Sequence, residues 1–163
     1  MPRVRTATLV HEGGMRFAAT TGTKRVLVFG DEIPLGELSP VETVTVSLGA
    51  CTAMDIVSIA TKKRQQISLY RIHVSAEQRD EYPQILTRID VTHEVEGPNV
   101  EAAAIRRAIE LSALKYCPVN AMLSAGATEI HHSYVVRNTG PEPFEGEDEV
   151  VVTGPYRRPD IVP

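Results

Sequence analysis

The order of patterned segments predicts an α+β fold in which a long helix packs against sheet. Three observations carry this. Residues 4–29 and 69–95 show the polar–apolar alternation of strands, and residues 40–64 carry the three- and four-residue spacing of a helix. A second helical region then precedes one more strand, Thr128 to Val136. At 163 residues the chain is long enough to bury a core without a disulfide staple.

In order, Val4–Val10 alternates loosely with Arg and Thr, Gly13-Gly14 signals a turn, and Lys24–Phe29 reads as a strand. Gly30–Ser39 is a loop. Ser39-Pro40 opens the long helix, because serine caps well and proline fits a first-turn position whose N–H has no partner. Val44, Leu48, Cys51, Asp55, Ser58 and Lys62 trace one stripe of it, and Val41, Val46, Ala50, Ala53, Val57 and Ala60 cover much of the rest, so most of this helix is expected to be buried. Lys62-Lys63-Arg64 suits the negative pole at its end. Leu69–Ala76 and Ile85–Val95 read as a hairpin across Tyr82-Pro83. The second helix is expected from an Asn99 cap to Lys115, with a short helix from Pro118 to Gly126. From Arg137 the composition changes to five of the eleven prolines and six acids, which predicts extended or partly ordered chain with Val150–Val152 as its only packing segment.

Composition narrows the function. A formal charge of -4, with no basic run longer than Lys62-Lys63-Arg64, argues against a nucleic-acid surface. Aromatics total 5% and tryptophan is absent, so base-stacking platforms are scarce. No segment reads as a membrane span or a signal peptide. A cytoplasmic protein is expected, in which the two cysteines are thiols. The histidines lie at no ligand spacing, and His131-His132 on one strand points its rings to opposite faces, so no metal is expected.

Two cysteines, 66 positions apart, are the candidate chemistry. Cys51 follows Ser47-Leu48-Gly49-Ala50 inside the long helix, a setting that also suits a small buried hydrophobe. Cys117 precedes Pro118 at a helix start, where N–H groups and the helix dipole lower a thiol's pKa. Asp55 shares a helix face with Cys51; a bare carboxylate there would raise the thiol pKa, so Asp55 is expected to pair with a cation or point away. Arg16 follows a turn, and Glu42 lies in the first helical turn, where the dipole alone accounts for it.

Ser39-Pro40-Val41-Glu42-Thr43 leading to Leu48-Gly49-Ala50-Cys51, with Cys117-Pro118-Val119-Asn120 downstream, resembles the OsmC/Ohr family of osmotically induced and organic-hydroperoxide-resistance proteins. The resemblance covers roughly residues 3–136. It implies one OsmC-like domain over 1–136, a Pro/acid-rich extension over 137–163, and an intertwined homodimer with long helices between curved antiparallel sheets. The implied activity is reduction of organic hydroperoxides by a thiol peroxidase without cofactor. Cys51 would attack the O–O bond and become a sulfenic acid. Cys117 would resolve it as a disulfide, and an external dithiol would reduce that disulfide; Arg16 and Glu42 would complete the site. The sequence departs from the peroxidase branches at one place. Their catalytic Glu directly follows the motif's Pro, where this chain has Val41, and Glu42 stands nine residues before Cys51. Nine steps of about 100° put Glu42 on the far side of a straight helix from Cys51, so it reaches the thiol only if the chain between them is broken. A second reading keeps the fold but makes the protein a redox sensor or small-ligand binder with little turnover.

Overall fold

The computed structural model describes residues 3–31 and 36–155, and the chain divides between Val44 and Thr45 into two compact units. The N-terminal unit is a three-stranded antiparallel sheet in sequence order, β1 (Ala7–Gly13), β2 (Arg16–Thr21) and β3 (Val26–Phe29). Gly13 and Gly14 take positive φ at the β1–β2 turn, a conformation open to glycine at no steric cost. Leu9, Val10, Met15 and Val26 are all more than half exposed on this sheet or its turn.

In the larger unit, β4 (Leu69–Gln78), β5 (Leu86–Gly97), β6 (Glu129–Asn138) and β7 (Phe144–Thr153) form a sheet in that order. β4–β5 and β6–β7 are antiparallel, but β5 and β6 pair parallel, which corrects the expectation of purely antiparallel sheets. The cause is the connection. A helical crossover separates β5 from β6, and a crossover returns the chain to the starting edge in the same direction. That crossover is α2 (Ala102–Leu111), a π-helical segment (Ser112–Tyr116) and α3 (Pro118–Ser124).

Alternation along β5 sorts the two faces. Ile89, Val91 and Val95 are fully buried, while Arg88 and Asp90 pair with each other on the opposite side. The core on the apolar face joins Ile56 and Ala60 of α1 (Pro40–Lys62), Ile105, Ala108 and Ile109 of α2, and Val95, Tyr134 and Val136 of the sheet. Gly97 at the end of β5 is required, because a Cβ there would sit 1.8 Å from the Gln66 carbonyl oxygen.

Four expectations change. First, α1 is not mostly buried: its buried stripe is Leu48, Gly49, Thr52, Ile56 and Ala60, while Val46, Met54 and Val57 are exposed. Four-residue steps, rather than the mixed set read from the sequence, align the face that meets the sheet, with Gly49 close to Val74 of β4. Second, α1 is by length and composition apolar enough to cross a membrane, contrary to the sequence reading; its stripe nevertheless packs in the core of this domain. Third, α2 begins after Glu101, not Asn99, because Asn99 bridges to Gln66 and the Glu101 N–H donates to the Gln65 side chain. Fourth, the acidic tail packs over more than Val150–Val152, because Phe144–Thr153 is a strand paired with β6. β7 covers the β6 edge, with Glu145, Asp148 and Glu149 meeting Arg137, Arg106 and His131, and with Val152 buried. These three acids are thus partners for basic side chains.

Candidate functional site

Cys51 sits about three turns into α1 beside the buried stripe, half-buried, with Asp55 one turn further along the same face. Cys117 is the N-cap of α3, held at φ -75 and ψ 104, and is 2% exposed. The two sulfurs and a carboxylate oxygen of Asp55 lie within 4.8 Å of one another, and both cysteines are free thiols. Two residues far apart in sequence therefore meet, as the resemblance implies.

The electrostatics correct the sequence reading of Cys117. Burial pushes its thiol up to about 12, and its hydrogen bond with Cys51 adds to that; the N–H of Asn120, donated to Sγ at 3.3 Å, acts the other way without prevailing. A two-turn helix delivers few N–H groups, and a dry site penalises the thiolate more than they favour it. Cys117 is held as the neutral thiol.

Asp55 neither points away nor meets a cation. Its Oδ2 accepts a hydrogen bond from Ser112 Oγ at 2.9 Å, and among the described residues no Lys, Arg or His forms an ion pair with it. Sequence reasoning placed Asp55 on the Cys51 face but could not place Ser112, whose hydroxyl arrives from the π-helical segment. Beside Asp55 lies an open pocket of about 490 Å³, lined also by Ser58, Ile59, Lys62, Lys63, Leu111 and Tyr116. Its lining is mixed, with Ile59 and Leu111 beside two lysines. Two sulfurs and one carboxylate are also a donor set that an ion such as zinc accepts, a grouping that sequence spacing did not reveal.

Arg16 and Glu42 belong to the N-terminal unit. Arg16 Nε donates to Glu12 at 2.9 Å, and its Nη1 donates to the buried Glu37; these carboxylates raise its pKa further. Glu42 is exposed in the first turn of α1, which runs unbroken from Pro40 to Lys62, so the chain break that would turn Glu42 toward the thiol is not present.

This topology, a parallel β5–β6 pair bridged by a helical crossover, with one cysteine on the long helix and the other capping the crossover's last helix, defines an α+β dithiol domain. Comparison with known proteins places it. The model of the OsmC-like protein family matches residues 31–133, and the chain belongs to that family. It is 41% identical over 107 residues to Protein YhfA of Escherichia coli K12, a match spanning 66% of this chain and 76% of that one. Among solved structures it resembles a hypothetical protein from Aquifex aeolicus VF5, with TM-score 0.76, 28% identity and coverage of 83% of this chain and 98% of that one. The organic hydroperoxide resistance protein OhrB of Bacillus subtilis has the same fold, with TM-score 0.55, 15% identity and coverage of 81% and 98%.

Proposed function

We propose that this protein is a cysteine-based peroxidase that reduces organic hydroperoxides to alcohols. The observation that carries the reading is the meeting of Cys51, Cys117 and Asp55 within 4.8 Å, with Asp55 also lining a pocket that includes Ile59 and Leu111. The Cys51 thiolate attacks the outer peroxide oxygen, the O–O bond breaks, and the alkoxide leaves with a proton as the alcohol. Cys51 is left as a sulfenic acid. Cys117 attacks that sulfur, its proton ends on the departing water with Asp55 in reach to relay it, and the disulfide forms. An external dithiol takes the disulfide back to two thiols by exchange. Arg16 is assigned, from the family resemblance, the positive charge that favours the Cys51 thiolate; Glu42, in the first turn of an unbroken α1 and on its far side from Cys51, takes no part in the step. The homodimer belongs to the same reading: Val46, Met54 and Val57 on α1 are apolar and exposed, as a face covered by a second copy would be. A cytoplasmic location and the lack of a cofactor complete it.

The test is consumption of an alkyl hydroperoxide by reduced protein and excess dithiol. Turnover is expected for wild type, none for Cys51→Ser, and rapid inactivation by over-oxidation for Cys117→Ser. No turnover by a wild type whose thiols both titrate would overturn the reading. A chelator is expected to leave turnover unchanged; loss of activity would mean that the three donors hold an ion. Because Cys117 must lose a proton to resolve, disulfide closure is expected to accelerate with pH, without the plateau near 9 that an ordinary thiol gives.

A second reading, redox sensing or binding of a small ligand with little turnover, is favoured by Val41 at the position of the peroxidase glutamate and by the weak acidity of Cys117. It predicts one equivalent of peroxide consumed, a lasting disulfide, and slow reduction.

A further inference from the structure

A buried polar chain crosses the apolar face of the large sheet and ends at Cys117. Tyr70 Oη lies 2.7 Å from His93 Nδ1, His93 Nε2 lies 3.2 Å from His132 Nδ1, and His132 Nε2 lies 2.9 Å from Asn120 Oδ1. His93, His132 and Asn120 are at most 1% exposed. The strand register sets the diagonal. Tyr70 on β4 is opposite Val95, two residues past His93, and His132 on β6 is opposite Val91, two residues before it. All three rings therefore share the core face of three successive strands.

Every proton in this chain can be placed. Asn120 Nδ2 donates to the Ala113 carbonyl at 3.0 Å and to Thr153 Oγ1 at 3.0 Å. A carbonyl only accepts, so the amide orientation is fixed and Oδ1 faces His132. His132 must then donate from Nε2, which in a neutral ring leaves Nδ1 as an acceptor. His93 must donate to it from Nε2, so His93 Nδ1 accepts from the Tyr70 hydroxyl. Both rings are held neutral, since burial drives their pKa values down, that of His132 to about 4. The result is one directed line of donors, Tyr70 to His93 to His132 to Asn120, and among the described residues no buried side-chain nitrogen or oxygen lacks a partner.

The line is no proton wire, because an asparagine amide does not pass a proton on at its end. What it does is fix Asn120, whose side chain ties the first turn of α3 to β6, β7 and the π-helical segment, and whose backbone N–H meets Cys117 Sγ. Three buried polar side chains and a partly buried tyrosine are a costly way to fill a core that apolar residues of equal volume would fill with less desolvation. We infer that His93 and His132 are positioning residues, which through Asn120 hold the Cys117 sulfur on its line of attack toward Cys51. The inference rests on the reading of Cys117 as the resolving thiol.

Two measurements test it. In wild-type protein, long-range ¹⁵N–¹H spectra are expected to show His93 and His132 only as Nε2–H tautomers; a proton on Nδ1 of either ring overturns the assignment. The second follows closure of the Cys51–Cys117 disulfide with diamide as well as with peroxide. Diamide takes the more accessible Cys51 sulfur on one azo nitrogen and its proton on the other. Cys117 then attacks that sulfur, and the hydrazine leaves with the second proton, so two thiols are oxidised and one azo group is reduced. His132→Leu is expected to slow closure by at least about tenfold, the cost of a misplaced reacting atom, with Cys51 alkylation unchanged. His132→Gln keeps an N–H toward Asn120 and is expected to restore most of the rate; Thr153→Val, which removes a single bond to Asn120, serves where His132→Leu fails to fold and is expected to slow closure severalfold. Unchanged closure in the variant tested, or equal slowing of closure and alkylation, overturns the positioning role. Closure by wild type with diamide but not with peroxide refutes the peroxidase reading alone, and closure with neither oxidant refutes both.

Discussion

The two sheets of this protein spend their apolar residues in opposite ways. In β5 and β6, Ile89, Val91, Val95, Ile130 and Val136 are fully buried under the helices of their own unit. In the three-stranded sheet, Leu9, Val10 and Val26 stand between 57% and 62% exposed, and no residue of β1 is buried. Strand propensity makes both sheets, but only a covering layer makes a core. The larger sheet carries its cover in sequence, while the smaller one presents a face that the proposed second copy would close.

The comparison is sharpened first by matched deletions in the two sheets' packing. Ile109→Ala, in the core under β6, is expected to lower unfolding free energy by about 2–5 kcal/mol, whereas Val10→Ala on β1 should change it by less than about 0.5 kcal/mol in dilute protein. Urea unfolding of both variants measures this, and equal losses would mean that the two sheets are equally closed.

Acid acts next, on the larger unit. His132 has a folded pKa of about 4, below its unfolded value, so the unfolded chain binds the proton first. The stability is complete above about pH 6.5 and is lost as pH falls toward about 4, by up to roughly 3 kcal/mol for this residue. His93 adds loss in the same direction. Urea midpoints between pH 7 and 4 report it, and His132→Gln should flatten the curve.

A third, smaller effect touches the exposed sheet. Val10→Glu is expected to weaken the proposed dimer, seen as a concentration-dependent shift in sedimentation, while the urea midpoint of the larger unit stays in place. Should wild type sediment as a monomer at all concentrations, the exposed face needs another explanation. The least effect belongs to Arg137, which meets Glu94, Glu96 and Glu145 on the outer face of the large sheet. Such exposed pairs are screened, so Arg137→Ala should shift the thermal midpoint only slightly, and not at all in about 1 M salt.

Most of the fold was legible because its signals are local. Alternation placed β4 and β5, Ser39-Pro40 opened α1 at Pro40, and Cys117-Pro118 opened α3. What escaped depends on partners distant in sequence. The acid-rich stretch after Arg137 read as extended or partly ordered chain because the basic residues it meets, Arg106 and His131, are 42 and 18 positions away from their acids. Cys117 looked acidic because a helix start is visible in sequence and a dry surrounding is not. His131 and His132 were correctly set on opposite faces, His131 between Glu129 and Glu149, but the partners of His132 lie on β5 and α3. Asp55 was placed on the right face with the wrong company, since only the fold brings Ser112 to it.

Ser112 also begins the π-helical segment, and the Cys117 N–H closes that segment on the Ser112 carbonyl at 2.9 Å. One residue thus grips both halves of the site, Asp55 through its hydroxyl and Cys117 through its backbone. A π turn holds one residue more than an α turn closes. That surplus residue works like an offset in a screw thread: delete it, and everything after Ser112 turns by about 100°. The sulfur of Cys117 would then face elsewhere, although no atom of the site had been changed. The spacing between the two halves is kept by a count of residues as much as by their chemistry.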